Sequence, residues 1–221
     1  MFQYKKELLK FCYKVYEKEY VAATDGNLSL RLPDGNILIT PSGKNKGELK
    51  IEDFIVVTPS GDKVYGNGKC SSEVKIHLLI YKKRNDINAV VHCHPTYATV
   101  LSITENKFEY PVLPEVVLTL GKVLLCKYGT PSTDELPDSM EPYVNKGDAF
   151  LLQNHGAVTC GKNIEDAYFK MEKLEHAARI LYLAGDVDKM RLLTSEELKK
   201  LYFAAENTYG LSVAAENRYR T

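Results

Sequence analysis

Two of the five histidines in the chain stand one residue apart in the apolar segment VVHCHP, at His92 and His94. In a β-strand, side chains at positions i and i+2 point to the same face. Two imidazoles on one face can bind one small ion, and they can equally be buried and hydrogen-bonded without an ion. From this pair alone both interpretations stay open.

A third histidine, His155, follows another apolar run in AFLLQNHG, and Gly156 after it permits a tight turn or a close backbone approach. By itself His155 could simply cap the end of a strand. Together with the first pair it matches the three-histidine ligand set of a catalytic zinc site, which leaves a fourth position open. Neither the HxHxDH pattern of metallo-β-lactamases nor the downstream glutamate of a cupin follows His94. His77 and His176 are interpreted as ordinary positions on amphipathic helices.

The segment CSSEVKIH places two serines and Glu73 where a helix is expected to begin. Because a helix N-terminus offers free N–H groups and a positive dipole end, the serines could bind a phosphate, or they could only cap the helix. Glu73 could be a metal ligand or a general acid/base, or merely a favourable charge at the dipole. The loops DGNLS and TPSGK could enclose the same anion, although each also suits a plain turn. No Walker or GxGxxG pattern occurs, so a nucleotide is not expected.

The composition of the 221-residue chain limits its partners. Its 29 basic and 29 acidic residues cancel, so no field favours nucleic acid or an anionic membrane. The first residues lack the apolar centre of a signal peptide, and no run approaches the roughly 18 apolar residues of a membrane span. Five scattered cysteines without CxxC spacing suit a reducing compartment. These features predict a soluble cytoplasmic protein that acts on a small molecule, without nucleic-acid or membrane partners.

Hydrophobic periodicity predicts the elements that position these residues. Helices are expected over 4–19, after the SSE segment, and over 163–184, where Asn163 caps the first turn. Thr194 and Glu197 form a capping box for a last helix. NLSLRL with ILIT, and FIVV with KVYG, are predicted hairpins. Helices interspersed with hairpins favour one domain of the α/β class (α+β type) in which helices cover a mainly antiparallel sheet.

Five segments in chain order carry a resemblance to a known family: GNLSLR, ILITPSG, SSE, AVVHCHP and LLQNHGAVTCGKNIEDA. They resemble the class II aldolase/epimerase family, most closely its L-fuculose-1-phosphate aldolase branch, over about residues 5–210. The resemblance implies a single domain over residues 1–221, an α/β/α sandwich, with a C-terminal tail that is mobile from about residue 203. It also implies a homotetramer with active sites between neighbouring subunits.

The resemblance assigns roles by position. It implies that His92, His94 and His155 bind zinc, with manganese or cobalt as alternatives, and that Glu73 is the catalytic carboxylate, which can also contact the metal. Tyr209 in TYGL matches a tyrosine that closes over the substrate. A substrate phosphate is expected at six positions: Asn27, Thr40, Ser42, Gly43, Ser71 and Ser72.

The chain departs from the family at one position. The aldolase uses a second tyrosine, donated by the adjacent subunit, after the short helix that follows the HxH strand. Glu115 stands there in YPVLPEVVLTLG. Because a carboxyl group is shorter and more acidic than a phenol, the preferred sugar is expected to shift toward a 5-deoxypentulose 1-phosphate.

The resemblance implies a metal-dependent aldolase. It would cleave a ketose 1-phosphate, such as L-fuculose 1-phosphate, reversibly to dihydroxyacetone phosphate and a short aldehyde, lactaldehyde or acetaldehyde. No lysine stands out in an apolar setting, so a Schiff-base mechanism is not expected. Alternatives on the same scaffold are a pentulose-5-phosphate 4-epimerase, a methylthioribulose-1-phosphate dehydratase and a non-catalytic interaction module.

Overall fold

The computed structural model of the protein describes residues 1–104 and 107–220. In this part of the chain eight strands form one sheet in the order β4-β3-β2-β1-β5-β8-β7-β6. All neighbouring strands are antiparallel except β6 and β7, so the predicted mainly antiparallel sheet is confirmed. The strands are β1 Asn27–Arg31, β2 Ile37–Ile39, β3 Ile55–Val57, β4 Lys63–Tyr65, β5 Ala89–Cys93, β6 Leu124–Cys126, β7 Ala149–Leu152 and β8 Gly156–Gly161.

Helices cover both faces of this sheet, as expected for an α/β/α sandwich. One hydrophobic cluster includes residues of α1, α3 and α6, and a second, on the other face, includes residues of α2 and α5. Val91 of β5 belongs to the first cluster and Val90 to the second, as strand alternation requires. The helices are α1 Phe2–Glu17, α2 Val74–Lys83, α3 Thr96–Ile103, α4 Pro114–Thr119, α5 Glu135–Met140, α6 Ile164–Ala184 and α7 Ser195–Ala204.

The local signals at helix ends act as predicted. Asn163 accepts a hydrogen bond from the backbone N–H of Asp166 (2.8 Å), and Thr194 with Glu197 forms the capping box of α7. Pro137 lies in the first turn of α5, where a missing N–H breaks no intrahelical hydrogen bond. The short helix α4 was not predicted, because its six residues lack a helical period of their own.

Three pairings bring the candidate residues to one region of the sheet. Asn27 of β1 is paired with His92 of β5, and β5 is paired in turn with β8, which follows His155. An isolated bridge joins Pro41 to Cys70, so the TPSG loop lies beside the two serines. All five cysteines are free. Among the described residues, no helix has the length and apolar character needed to cross a membrane.

Candidate active site with a three-histidine cluster

Three imidazoles converge where strand β5 ends and β8 begins. The ring centroids of His92, His94 and His155 are 4.9 Å apart in each pair. The Nε2 atoms of His92 and His94 are 3.2 Å apart. Zn–N bonds of about 2.0–2.1 Å place two ligands of a tetrahedral site about 3.3 Å apart. The ligand atoms of the three histidines all lie within 4.8 Å of one another, so these side chains could hold a metal ion.

The backbone orients two of the three rings. Nδ1 of the fully buried His92 lies 2.9 Å from the carbonyl oxygen of Ala157. Because a carbonyl can only accept, Nδ1–H donates, and this hydrogen bond directs Nε2 toward the cluster. A Cβ atom at Gly156 would lie 2.5 Å from Cδ2 of His94, so glycine is required there by close packing. The backbone at Gly156 thus lies against the His94 ring, and its approach to a ligand stays a prediction.

Glu73, the N-cap residue of α2, closes the cluster. Its carboxylate lies 3.0 Å from Nε2 of His155 and 3.3 Å from Nε2 of His92, and it accepts a hydrogen bond from Nδ2 of Asn27 (2.9 Å). Burial would raise the pKa of this carboxyl, but the charges and hydrogen bonds of His92 and His155 lower it overall. Glu73 therefore faces the imidazoles as a carboxylate.

The donor chemistry fits a divalent cation. Nε2 of His92 and the carboxylate of Glu73 are 3.3 Å apart, and these two atoms can lie this close when a proton or a cation lies between them. Burial, together with the charges of His92 and His155, lowers the pKa of His94 to about 3, so its imidazole is neutral, as a metal ligand must be. Three imidazoles and one carboxylate could thus hold a single ion.

A cavity of 340 Å³ opens beside the cluster. Gly26 and Gly43, in its wall, have φ angles of +73° and +70°, in the left-handed region that glycine adopts readily. The wall includes Glu73, His94 and His155 and five of the six predicted phosphate residues: Asn27, Ser42, Gly43, Ser71 and Ser72. Hydroxyl groups and loop backbone therefore meet the candidate metal ligands in one cavity.

Thr40, the sixth predicted phosphate residue, is placed differently. Its side chain is fully buried, and its Oγ1 accepts a hydrogen bond from the backbone N–H of Leu28 (3.3 Å). It links strands β1 and β2 and is not part of the cavity wall. A direct contact between Thr40 and a phosphate is therefore not supported by this geometry.

Lys46 was not recognised from the sequence. Its side chain is 1% exposed, and its Nζ donates to the carbonyl oxygens of Thr24 (2.7 Å) and Lys44 (3.1 Å). The expectation that no lysine occupies an apolar setting is thus wrong. Its ammonium joins the two loops that flank the cavity, which suits a structural role better than a Schiff base. The segment GKNKGELK offers no signal for it, because Lys46 is one of three lysines in this segment and nothing in the residue order distinguishes it from the other two.

His77 is likewise not the ordinary amphipathic position that was predicted. It is fully buried, and its two ring nitrogens lie 2.5 Å from Oδ1 of Asn27 and 2.7 Å from Oγ of Ser29. The available signal was its spacing: residues 73 and 77 are i and i+4, so Glu73 and His77 lie on one side of α2.

Glu115 and Tyr209 are the two remaining candidate residues. Glu115 is exposed in the first turn of α4, and it is not part of the cavity wall in its own chain. The backbone of Tyr209 ends a π-helical segment, Ala205–Tyr209, and its side chain lies outside the described part of the structure. The role of Glu115 at a neighbouring site and the closure of Tyr209 over the substrate stay predictions.

Comparisons with known proteins agree with this geometry. The model of the Class II Aldolase and Adducin N-terminal domain family matches residues 6–182. A 3-oxo-tetronate 4-phosphate decarboxylase of Pectobacterium atrosepticum is 38% identical over 199 residues, which are 88% of this chain and 90% of that protein. An L-fuculose phosphate aldolase of Methanococcus maripaludis is 36% identical over 182 residues, 82% of this chain and 97% of that protein.

A solved structure shows the same architecture. An L-fuculose 1-phosphate aldolase superimposes with a TM-score of 0.81 at 31% identity, covering 93% of this chain and 97% of its own. The family-model match spans most of the chain, and the relatives are enzymes that act on phosphorylated compounds by name. The chain therefore belongs to the class II aldolase and adducin N-terminal domain family.

Proposed function

We propose that the protein is a metal-dependent aldolase that cleaves a ketose 1-phosphate to dihydroxyacetone phosphate and a short aldehyde. The observation that carries this proposal is the convergence of three imidazoles with the Glu73 carboxylate beside a cavity. His94, His155 and Glu73 line this cavity, which also presents serine hydroxyls and glycine backbone. One end of the cavity suits a carbonyl, and the other suits a phosphate.

His92, His94 and His155, with Glu73, are proposed to hold one zinc ion, or manganese or cobalt in its place. When bound there, the ion supplies Lewis-acid polarisation of the substrate carbonyl. The three side chains come from β5 and from the turn before β8, so adjacent strands fix their relative positions. This rigidity suits a site in which the ligand geometry is set before the substrate enters.

Glu73 is proposed to transfer the proton at the carbon next to the carbonyl. During cleavage a base takes the hydroxyl proton of the departing fragment, the carbon–carbon bond breaks, and the carbon left behind becomes electron-rich. Glu73, once it has taken up a proton, delivers it to this carbon and becomes a carboxylate again, so that the net change is transfer of one proton from the hydroxyl to the carbon. In the reverse reaction the carboxylate removes the same proton. Asn27 donates to the carboxylate (2.9 Å) and so stabilises its ionised form.

The phosphate is proposed to bind at the loop end of the cavity. Ser71 and Ser72 precede helix α2, and Ser42 and Gly43 belong to the neighbouring loop that the Pro41–Cys70 bridge holds beside them. Hydroxyl groups and backbone N–H groups at a helix N-terminus bind phosphate well. Asn27 supplies one further N–H group at the same wall.

A second reaction, decarboxylation of a 3-oxo-tetronate 4-phosphate, is favoured by two observations. A relative with this name is 38% identical to the chain. Loss of carbon dioxide from such a substrate leaves the same enediolate of dihydroxyacetone phosphate that an aldol cleavage leaves. The leaving group then has no hydroxyl proton to lose, so a tyrosine at the position of Glu115 is not required.

One panel of substrates tests both reactions. Purified zinc-loaded protein is supplied with L-fuculose 1-phosphate, a 5-deoxypentulose 1-phosphate and 3-oxo-tetronate 4-phosphate, and release of dihydroxyacetone phosphate is measured with a coupled dehydrogenase. Release together with an aldehyde identifies the aldolase, and release together with carbon dioxide identifies the decarboxylase. Epimerisation or dehydration of pentulose phosphates without triose phosphate release would refute the proposal.

We also propose that the protein is a homotetramer in which Glu115 and the tail with Tyr209 serve a neighbouring site. Light scattering of the purified protein tests this assembly. Mixing a Glu115→Ala chain with a His94→Ala chain tests site sharing, because mixed tetramers would then contain some sites with neither substitution, and these sites would restore the wild-type ratio of kcat/KM between the two sugar phosphates. A monomer in solution would contradict the proposal.

A further inference from the structure

We propose that His77 is a positioning residue for Glu73: it holds the Asn27 side-chain amide in the orientation that donates to the Glu73 carboxylate. This inference concerns the carboxylate to which the proposed function assigns proton transfer, and it rests on that function only for its kinetic consequence. The residues involved, called here the His77 hydrogen-bond chain, are Tyr81, Ser29, His77, Asn27 and Glu73.

The hydrogen-bond chain is continuous and buried. Tyr81 Oη lies 2.7 Å from Ser29 Oγ, which lies 2.7 Å from His77 Nδ1. His77 Nε2 lies 2.5 Å from Asn27 Oδ1, and Asn27 Nδ2 lies 2.9 Å from Glu73 Oε2. Ser29 and His77 are fully buried, and Asn27 and Tyr81 are nearly so. Water therefore does not supply alternative partners along most of this path.

Strand β1 and helix α2 supply the residues of the His77 hydrogen-bond chain. Asn27 and Ser29 are i and i+2 on β1, so they share one face of the strand. Glu73, His77 and Tyr81 are spaced i, i+4 and i+8 along α2, so they form one row. The polar row of the helix therefore lies on the polar pair of the strand, within a face that is otherwise hydrophobic.

The carboxylate sets the direction of every hydrogen bond. The ionised Glu73 can only accept, so the amide nitrogen of Asn27 faces it and the amide oxygen faces His77. His77 must then donate through Nε2–H. Burial lowers the pKa of His77 to about 3, so the ring is neutral and Nδ1 accepts from the Ser29 hydroxyl. The Ser29 oxygen in turn accepts from the Tyr81 hydroxyl, whose pKa is raised by burial.

The consequence for catalysis follows because half a turn of the Asn27 side-chain amide exchanges the positions of its oxygen and its nitrogen. Without a donor at position 77, the buried amide oxygen would have no hydrogen-bond partner, so this rotation would be favourable. The rotated amide would place its oxygen against Glu73 Oε2, where two acceptors repel each other. The carboxylate would then leave the position that His92 and His155 share with it. His77 thus acts on the reaction without contacting the substrate.

The first test measures the His77 tautomer directly. Zinc-loaded protein with 15N-labelled histidine is studied by NMR, and the His77 signals are assigned by their loss in His77→Gln. We expect a neutral ring with the proton on Nε2 and none on Nδ1. A proton on Nδ1, or a doubly protonated ring, would overturn the proposal. This measurement needs no substrate, so it is decided even if the proposed reaction is wrong.

The second test separates positioning from stability with two variants. His77→Leu removes the donor, whereas the side-chain amide of His77→Gln can still donate to Asn27 Oδ1. We expect His77→Leu to lower kcat about 10- to 100-fold, with KM and zinc content nearly unchanged. His77→Gln should recover most of that loss. His176→Leu, at an exposed position of α6, is the control and should match the wild type.

Two outcomes of the second test would contradict the inference. One is an unchanged kcat in His77→Leu. The other is equal loss in both variants in proportion to their melting temperatures, which would show a purely structural role. If the wild type turns over no sugar phosphate, a crystal structure of His77→Leu is determined in place of the kinetic measurement. An Asn27 amide and a Glu73 carboxylate in the same positions as in the wild type would refute the proposal. If His77→Leu does not fold, the tautomer measurement decides.

Discussion

The two ends of this molecule that are expected to meet a substrate are built in different ways. At the histidine cluster, adjacent strands and helix α2 fix every candidate ligand, and the hydrogen bonds around them are buried. At the other end, α4 and α7 with the C-terminal segment form a small cluster of their own, which comprises Val117, Leu198, Tyr202, Val213 and Tyr219. Glu115 of α4, a candidate residue at this end, is exposed.

The C-terminal segment is nevertheless attached to the body of the protein. The Asn217 side chain bonds to the backbone of Leu120 (2.8 Å) and Lys122 (2.9 Å), and the Tyr219 hydroxyl donates to the carbonyl oxygen of Phe108 (2.7 Å). The predicted mobility of the tail from about residue 203 stays a prediction. The contrast teaches that the candidate metal ligands are brought together within one chain, whereas the roles of Glu115 and Tyr209 in completing the chemistry stay proposals.

The largest expected effect lies at the histidine cluster. His94→Ala should lose most of the bound metal and nearly all activity, because two imidazoles and a carboxylate hold a divalent ion poorly. Metal analysis by mass spectrometry checks this against His176→Ala, an exposed histidine. One full equivalent of metal in His94→Ala would mean that the cluster is not the metal site.

Glu73→Gln should follow in size. It keeps the shape of the side chain and removes its basicity, and general acid/base groups typically contribute about 10²- to 10⁴-fold in rate. We expect kcat to fall by that factor while the three imidazoles retain the metal. Turnover at the wild-type rate on the true substrate would reduce Glu73 to a helix-cap residue.

Substitutions at the loop end of the cavity should have a smaller effect, mainly on substrate binding. Ser71→Ala/Ser72→Ala removes two hydroxyls that face the proposed phosphate, and a hydrogen bond to a charged group contributes about 1.5–3 kcal/mol. The loss of one such hydrogen bond lowers kcat/KM about 10- to 100-fold, and we expect at least this fall, mainly through KM, with the metal retained. An unchanged KM for the phosphorylated sugar would place the anion elsewhere.

A pair of glycines compares the two ends directly. Gly156→Ala would place a methyl group 2.5 Å from His94 Cδ2 and should weaken metal binding by about 10-fold. Gly147→Ala meets only the Asn217 side chain, at 3.3 Å, and should leave metal affinity unchanged. Titration with a competing chelator measures both. Equal metal affinity in the two variants would show that the tight packing at Gly156 is not required.

The smallest effect is expected at Glu115. Because it is exposed within its own chain, Glu115→Ala should leave stability and metal content unchanged. If Glu115 serves a neighbouring site, the variant should change the ratio of kcat/KM between L-fuculose 1-phosphate and a 5-deoxypentulose 1-phosphate by a few-fold. An unaltered ratio would separate this residue from substrate selection.

The sequence by itself determined what depends on neighbours along the chain. The alternation at His92 and His94, both hairpins, the Asn163 cap and the Thr194–Glu197 box follow from strand and helix periods, which act over a few residues. The metal triad could be proposed from residue types and spacing. A phosphate site could be proposed from the serines at a helix start and from two small polar loops, and the ordered family motifs then assigned its six positions. Each of these predictions depends on residue order more than on burial.

Only the tertiary structure decided which polar residues are buried and what they contact. His77 and Lys46 stand among charged residues in the sequence. In the structure, helix α2 packs on β1 and His77 is buried between them, and the Lys46 ammonium is buried between the two cavity loops. Burial of a polar group is tolerated only where partners from distant segments satisfy it, and those partners are set by strand pairing and helix packing. Thr40 shows the converse, because the pairing of β1 with β2 directs its hydroxyl to a backbone N–H instead of the cavity.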